Sequence, residues 1–88
     1  MRKRVKWTYV ANFDYFGKAD KDEWVIGFLN EEGSPYECPR TKDSKLIEKL
    51  KELVGTDPSK KLKVTVEINY KPDKWGSEYP ILVDVCEP

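Results

Sequence analysis

Hydrophobic and polar residues alternate along residues 62–70, which read LKVTVEINY. Successive side chains of a β-strand point to opposite faces, so this period of two predicts a strand with one buried and one exposed face. The apolar set is β-branched or aromatic, apart from one leucine, which is typical of packed strands. Its members are Leu62, Val64, Val66, Ile68 and Tyr70. We expect the rest of the chain to be organised around this strand.

A second alternating stretch covers residues 5–16 and predicts a strand longer than the usual length of about 5–6 residues. Such long strands are often bent, so that their two halves serve two parts of a barrel or sandwich. Gly17 is expected to end the strand, and residues 18–22 to form a polar turn. The face predicted to point into the core carries Val5, Trp7, Tyr9, Ala11, Phe13 and Tyr15.

Three shorter strands are predicted elsewhere. Residues 24–29 (WVIGFL) are apolar on both faces, and their length and aromatic and β-branched content favour a strand. A turn at residues 30–33 leads to a short third strand over residues 35–38, and Pro35 and Pro39 indicate that this strand is short or at an edge. Residues 79–86 predict the last strand. Its apolar face is expected to carry Tyr79, Ile81, Val83 and Val85.

One helix is predicted over residues 43–54, where apolar residues recur at helical spacing. Thr41 or Asp43 can cap its start, and Gly55 follows its end, where a left-handed residue is common. The apolar stripe consists of Leu46, Ile47, Leu50, Leu53 and Val54.

The predicted order is therefore β-β-β-α-β-β in a single domain of residues 1–88. This β-rich α+β order matches the five-strand, partly open OB-like barrel, which has its helix between strands three and four. An antiparallel sheet with one helix packed on a face uses the same elements and remains the alternative. The match is one of element order and not of a family motif.

Charge and composition limit the classes of function that we expect for this chain. Lys plus Arg and Asp plus Glu are 16 each, so the net charge is zero and gives no support to nucleic-acid binding. Histidine is absent, which removes the commonest metal ligand and general base. We find no phosphate loop, serine elbow or zinc spacing, and so expect no cofactor, no metal and no enzyme activity. Neither a membrane span nor a signal peptide is recognisable, so a cytoplasmic location is expected.

Two cysteines, Cys38 and Cys86, lie near the ends of the third and fifth predicted strands, which are parallel neighbours in an OB-like barrel. A disulfide between them is one interpretation. Two reduced thiols are favoured, because the cytosol keeps thiols reduced.

Most aromatic residues are expected to pack in the core, but Trp75 stands outside any apolar period and next to Lys74. An exposed tryptophan beside a lysine can stack on a nucleic-acid base. The alternative is that Trp75 folds back over the open end of the barrel. The surfaces through which OB-folds bind their ligands define the candidate site. It comprises Trp75, Lys74, Lys18, Lys21, Trp24 and Tyr36.

The charge balance and the exposed aromatic residues are compatible with two kinds of binding function. A protein-interaction or inhibitor domain, acting through a β-edge or an exposed aromatic patch, agrees better with the zero net charge. A single-stranded nucleic-acid-binding domain is the alternative, favoured by Lys74 and Trp75. The regular alternation is also compatible with a designed scaffold without activity. We expect a monomer or a weak dimer.

Overall fold

The computed structural model describes residues 3–36, 38–70 and 80–88. Within these ranges the chain forms five strands and one helix in the predicted order. The elements are β1 (Lys3–Asp20), β2 (Glu23–Leu29), β3 (Arg40–Thr41), α1 (Ser44–Val54), β4 (Lys61–Tyr70) and β5 (Ile81–Cys86).

The described strands close into a ring in the order β1-β2-β3-β5-β4, and β4 pairs back onto β1. The contact of β3 with β5 is parallel, and the other pairings are antiparallel. The parallel pairing of strands three and five, expected for an OB-like barrel, is thus confirmed. Arg40 closes the ring, because it pairs with Val25 of β2 and with Ile81 of β5.

The core fills the inside of this ring. Strand β4 pairs with β1 along one edge and with β5 along the other, and its predicted inward residues Leu62, Val64, Val66 and Ile68 are buried. Helix α1 packs its apolar stripe onto the same core, with Ile47 and Leu50 buried. The buried residues of the cluster are Ala11, Phe13, Ile26, Phe28, Ile47, Leu50, Leu62, Val64, Val66, Leu82 and Val85.

Both ends of α1 follow from local side-chain and backbone chemistry. The Asp43 carboxylate accepts a hydrogen bond from the Lys45 N–H at 2.9 Å and is the N-cap. Thr41, the other predicted cap, instead accepts from the Asp43 N–H at 3.0 Å and so holds the cap in place. Gly55 has φ 57° and donates to the Lys51 carbonyl at 2.9 Å, which completes the C-terminus.

The third strand lies further along the chain than predicted. The prediction of a strand over residues 35–38 is wrong: β3 begins at Arg40, and Pro35 makes only an isolated bridge to Leu29. Proline has no backbone N–H to donate, so Pro35 and Pro39 interrupt a continuous ladder. The Pro39 carbonyl still accepts from Ile26 at 2.9 Å, and full pairing resumes one residue later.

Strand β1 continues past Gly17, contrary to the prediction. Gly17 pairs with Val25, and the turn is confined to residues 21–22. The strand tolerates this length because β-bulges at Asp14 and Ala19 place one extra residue against β2 at each site. Each bulge shifts the alternation of side chains between the two faces by one residue.

These bulges overturn several predicted orientations. Tyr15, predicted to point inward, follows the Asp14 bulge and is 47% exposed. In β5 a bulge at Val83 makes Leu82 the inward residue, while Ile81 is exposed. Val85 is buried as predicted, and Tyr79 lies outside the described residues.

Trp7 is also exposed, for a different reason. It keeps the predicted phase of alternation, because it pairs with the buried Val66 of β4. However, pairing of β1 with β2 begins only at Asn12, so no described strand lies beside the other edge of residues 3–11. The indole is therefore 53% exposed, and the prediction that it packs in the core is wrong.

Candidate functional site

Three residues of the predicted site come together at the tip of the β1–β2 hairpin: Lys18, Lys21 and Trp24, here called the hairpin cluster. Lys18 and Trp24 are directly paired across the two strands. The Lys18 Nζ lies 4.0 Å from the centroid of the Trp24 ring and donates to the Lys21 carbonyl at 3.0 Å. A lysine over an indole face is a cation–π contact. This contact already occupies one face of the only tryptophan in the cluster.

Acidic residues surround the hairpin cluster and reduce its positive potential. The Asp20 carboxylate accepts from the Lys21 N–H at 2.7 Å. The neighbouring Glu23 pairs with Arg40, with Nη1 to Oε1 at 3.4 Å. A surface that binds phosphates needs uncompensated lysine and arginine. The hairpin cluster offers few such charges.

The structure does not bring Tyr36 to this cluster. Its N–H donates to the Phe28 carbonyl at 2.9 Å, near the opposite end of β2 from Trp24. Lys74 and Trp75 lie outside the described residues. The predicted site is therefore divided between at least two separate places.

Tyr36 belongs instead to a second group, the aromatic edge, which we define as Trp7, Tyr9 and Tyr36. The Tyr9 and Tyr36 rings lie 4.6 Å apart between centroids and are tilted by 39°. Trp7 is two residues before Tyr9 in β1 and so points to the same face. Two of the three rings present substantial surface to solvent, with Trp7 53% and Tyr36 36% exposed.

A shallow pocket adjoins the aromatic edge. Its volume is about 290 Å³, and it is lined by Val10, Asn30, Glu31, Glu32 and Tyr36. Its floor is shaped by the turn after β2, in which the Asn30 side chain accepts from the N–H groups of Glu32 and Ser34, both at 2.9 Å. The pocket thus joins an apolar wall to a carboxylate-rich rim.

The opposite face of the same strand segment is basic. Arg4 and Lys6 are exposed there and alternate with the residues that point towards the core. Arg4 Nε lies 3.6 Å from Glu67 Oε1, and the arginine side chain remains 75% exposed. Lys6 stands opposite Glu67 in the strand register, but forms no ion pair with a described residue.

Sequence reasoning placed Tyr36 in the site but missed Trp7 and Tyr9. Their alternation in β1 is that of core residues, and it correctly gives the face to which they point. The signal that could have found them is the difference in strand length, since β1 is predicted to be about twice as long as its hairpin partner. Half of such a strand lacks a neighbour on one edge.

The two cysteines are both free thiols. Cys38 precedes Arg40 by two residues, and Cys86 follows Ile81 by five, although Arg40 and Ile81 are the paired positions of the parallel strands. They therefore lie towards opposite ends of the β3–β5 contact, and the expected proximity is not found. Cys38 instead meets Tyr15, with Sγ 3.6 Å from the phenol oxygen. This contact raises the pKa of Tyr15, first through the hydrogen bond and then through the charge of the ionised thiol.

The described part of the chain contains no group of three or more cysteine or carboxylate side chains arranged to hold a metal ion. It also contains no helix with the length and apolar character needed to cross a bilayer.

Comparison with known proteins gives no relative from which a function could be transferred. No protein-family model matches the chain, and no curated protein or solved structure is significantly similar to it.

Proposed function

We propose that this chain is an OB-like barrel that acts as a non-enzymatic protein-interaction or inhibitor domain and binds its partner through the aromatic edge. The ring order β1-β2-β3-β5-β4, with a parallel β3–β5 contact and a helix between β3 and β4, supports the barrel. The observation that carries the function is the exposure of Trp7 on a strand segment that has a described neighbour, β4, along one edge only.

The chemistry of this surface supports a protein partner. Tryptophan and tyrosine are enriched in protein interfaces and dominate their binding energy when a partner covers them. Trp7 supplies a large apolar face, Tyr36 a second ring, and the adjoining pocket a polar rim with Glu31 and Glu32. The zero net charge of the chain also agrees with a protein partner.

The test is a selection of displayed random peptides on the full chain, followed by measurement of affinity for Trp7→Ser and Tyr36→Ser. We expect selected peptides to bind the wild type and to lose about tenfold or more in affinity with Trp7→Ser. The matched control is Ile81→Ser, which removes an apolar residue of similar exposure (43%) from β5. Equal losses in Trp7→Ser and Ile81→Ser, or no enriched peptides, would contradict the proposal.

Single-stranded nucleic-acid binding is the second candidate, favoured by the convergence of Lys18, Lys21 and Trp24. It predicts quenching of tryptophan fluorescence by a mixed oligonucleotide, with an affinity that falls steeply with salt. The double variant Lys18→Ala/Lys21→Ala should then weaken binding, as should Trp75→Ala. No quenching at low salt would remove this candidate.

A further inference from the structure

We propose that the pocket beside the aromatic edge is a binding site for an arginine side chain, which the partner protein presents. This inference rests on the proposed protein-interaction function and specifies the chemistry of the partner. It combines three observations: the size of the pocket, two carboxylates that pair with no described cation, and a tyrosine ring in the pocket wall.

The pocket has a size that suits one side chain. Its volume is about 290 Å³, whereas pockets that enclose drug-sized ligands measure roughly 300–1,000 Å³. Val10, which is 40% exposed, forms an apolar part of the lining together with the Tyr36 ring. Because the pocket is shallow, its ligand stays partly in water. A long side chain carried by a larger partner meets these conditions better than a free small molecule does.

Glu31 and Glu32 give the pocket its negative charge. Both residues are exposed, and neither carboxylate forms an ion pair with a described residue. Lys63, which stands opposite Val10 in the strand register, also forms no ion pair within the described ranges. A cationic group from a partner would complement the two carboxylates, and such complementarity gives specificity and raises the rate of association.

The turn after β2 holds the carboxylates in a defined place. The Asn30 side-chain oxygen accepts from the N–H groups of Glu32 and Ser34, both at 2.9 Å. The Asn30 N–H donates to the Ser34 carbonyl at 2.8 Å, and the Asn30 carbonyl accepts from the Gly33 N–H at 3.0 Å. A surface that is ordered before binding loses less conformational entropy when its ligand arrives.

Tyr36 adds an aromatic surface beside these carboxylates. Its N–H donates to the Phe28 carbonyl at 2.9 Å and its ring packs on Tyr9, so both its backbone and its ring are positioned. Lysines of the chain lie over the rings of Trp24 and Phe16, whereas no cation of the described residues lies over the Tyr36 ring. This ring is therefore suited to a cation that comes from a partner.

Arginine fits this combination better than lysine does. Its guanidinium is planar, stacks on aromatic rings and is more weakly hydrated than an ammonium group, so less hydration is lost in a half-open pocket. Its several N–H donors can also bond to two carboxylates while the plane of the group rests on a ring. Lysine offers a compact and strongly hydrated charge. We therefore expect selectivity for arginine and not only for positive charge.

The experiment titrates the ¹⁵N-labelled full chain with the N-acetyl amides of arginine, lysine and citrulline and follows the amide shifts by NMR. Citrulline has nearly the shape of arginine but no charge. At low salt we expect arginine to bind about fivefold more tightly than lysine, and citrulline to bind too weakly to measure. The shifts should centre on Val10, residues 30–32 and Tyr36, and added salt should weaken binding.

Variants of the chain separate the pocket from general charge attraction. Glu31→Gln/Glu32→Gln should weaken arginine binding by about tenfold. Glu48→Gln/Glu52→Gln makes the same change in net charge at exposed positions of α1 and should weaken binding by less than about twofold. Tyr36→Leu should weaken binding about threefold because the ring is lost, whereas Tyr36→Phe should retain it.

Equal binding of the three probes, or equal losses in the two double variants, overturns the inference. Binding that appears only in Lys71→Ala/Lys74→Ala would make a lysine of this chain the occupant and would also overturn it.

The outcomes distinguish this inference from the proposed function. If displayed peptides depend on Trp7 but bind Glu31→Gln/Glu32→Gln as well as the wild type, the inference fails and the interaction function stands. If the arginine probe binds in the pocket but no displayed peptide does, the arginine site stands and the interaction function fails.

Discussion

The ring of Tyr15 lies directly over Gly27, its partner in the β1–β2 pairing, on the outer face of the sheet. A Cβ atom at Gly27 would overlap the Tyr15 ring carbons Cδ1 and Cε1. The bulge at Asp14 turns Tyr15 outward, and the absence of a side chain at Gly27 makes room for it. The pair explains why a glycine stands in the middle of an otherwise apolar strand.

We expect Gly27→Ala to destabilise the fold by about 1–3 kcal/mol, because the methyl group displaces the Tyr15 ring from its site. The measurement is urea unfolding of the wild type, Gly27→Ala, Tyr15→Ala and the double variant. Because the two residues are in contact, their effects should not add. When Tyr15 is already alanine, Gly27→Ala should lower the free energy of unfolding by much less than it does in the wild type. Full additivity of the two changes would show that the ring does not occupy this place.

Leu50 anchors helix α1 to the inside of the ring and is fully buried. Leu50→Ala should lower the free energy of unfolding by about 2–5 kcal/mol, the cost of a large core cavity. A small domain can lose its fold from such a change, so Leu50→Val serves as a milder variant. Leu53→Ala, at a partly buried position of the same helix, is the control. Its effect in urea unfolding should be clearly smaller, and an equal effect would contradict this position of the helix.

Lys49 and Asp84 join α1 to β5, with Nζ to Oδ1 at 2.8 Å. The hydrogen bond from Lys49 lowers the pKa of Asp84, against a smaller opposing effect of desolvation. A lowered folded-state pKa stabilises the fold above the unfolded carboxyl pKa of about 3.9, and this stabilisation is lost as pH falls through the folded value.

We expect Asp84→Asn to cost less than about 1 kcal/mol near neutral pH, because both side chains are largely exposed and the pair is screened by water. In urea unfolding, the difference from the wild type should disappear as pH falls below the Asp84 pKa. Glu48→Gln, at an exposed position of the same helix, is the control and should have little effect. A difference that grows at acid pH would contradict the assignment.

The phenol of Tyr15 should titrate at lower pH once its sulfur neighbour is removed. The Cys38 contact raises the Tyr15 pKa, so Cys38→Ala should return it towards its ordinary value. Cys38→Ser keeps a hydrogen-bonding group but removes the thiolate charge, and should give an intermediate result. The readout is near-ultraviolet absorbance during alkaline titration, with Tyr15→Phe subtracted to isolate one phenol. An unchanged Tyr15 titration in Cys38→Ala would exclude the contact in solution.

Local pattern predicted some parts of this molecule well. The alternation over residues 62–68 correctly identified the buried face of β4, because this strand carries no bulge and keeps a simple period of two. The helix and its caps were also predicted correctly, since both depend on side chains a few residues apart. The order of the elements was also predicted correctly, whereas the same elements left both a ring and an open sheet possible.

Other features depended on partners distant in the sequence. Tyr15 and Leu82 lie on the faces opposite to those predicted, because each is next to a β-bulge. A bulge depends on how two paired strands match, so the pattern of one strand does not predict it. The third strand begins at Arg40 and not at residue 35 as predicted, because Arg40 pairs with both β2 and β5. The hairpin cluster could be anticipated in part, but the separation of Tyr36 from it could not.

Periodicity and capping in the sequence were sufficient to determine the β-rich class, the helix over Ser44–Val54 and the inward residues Leu62, Val64, Val66 and Ile68 of β4. Tertiary structure alone decided which aromatic residues are covered. Trp7 has the pattern of a core residue and is exposed, since burial requires a neighbour on both sides, and β2 is too short to supply one. Pairing between strands of unequal length, which no local pattern encodes, therefore created the surface on which the proposed function rests.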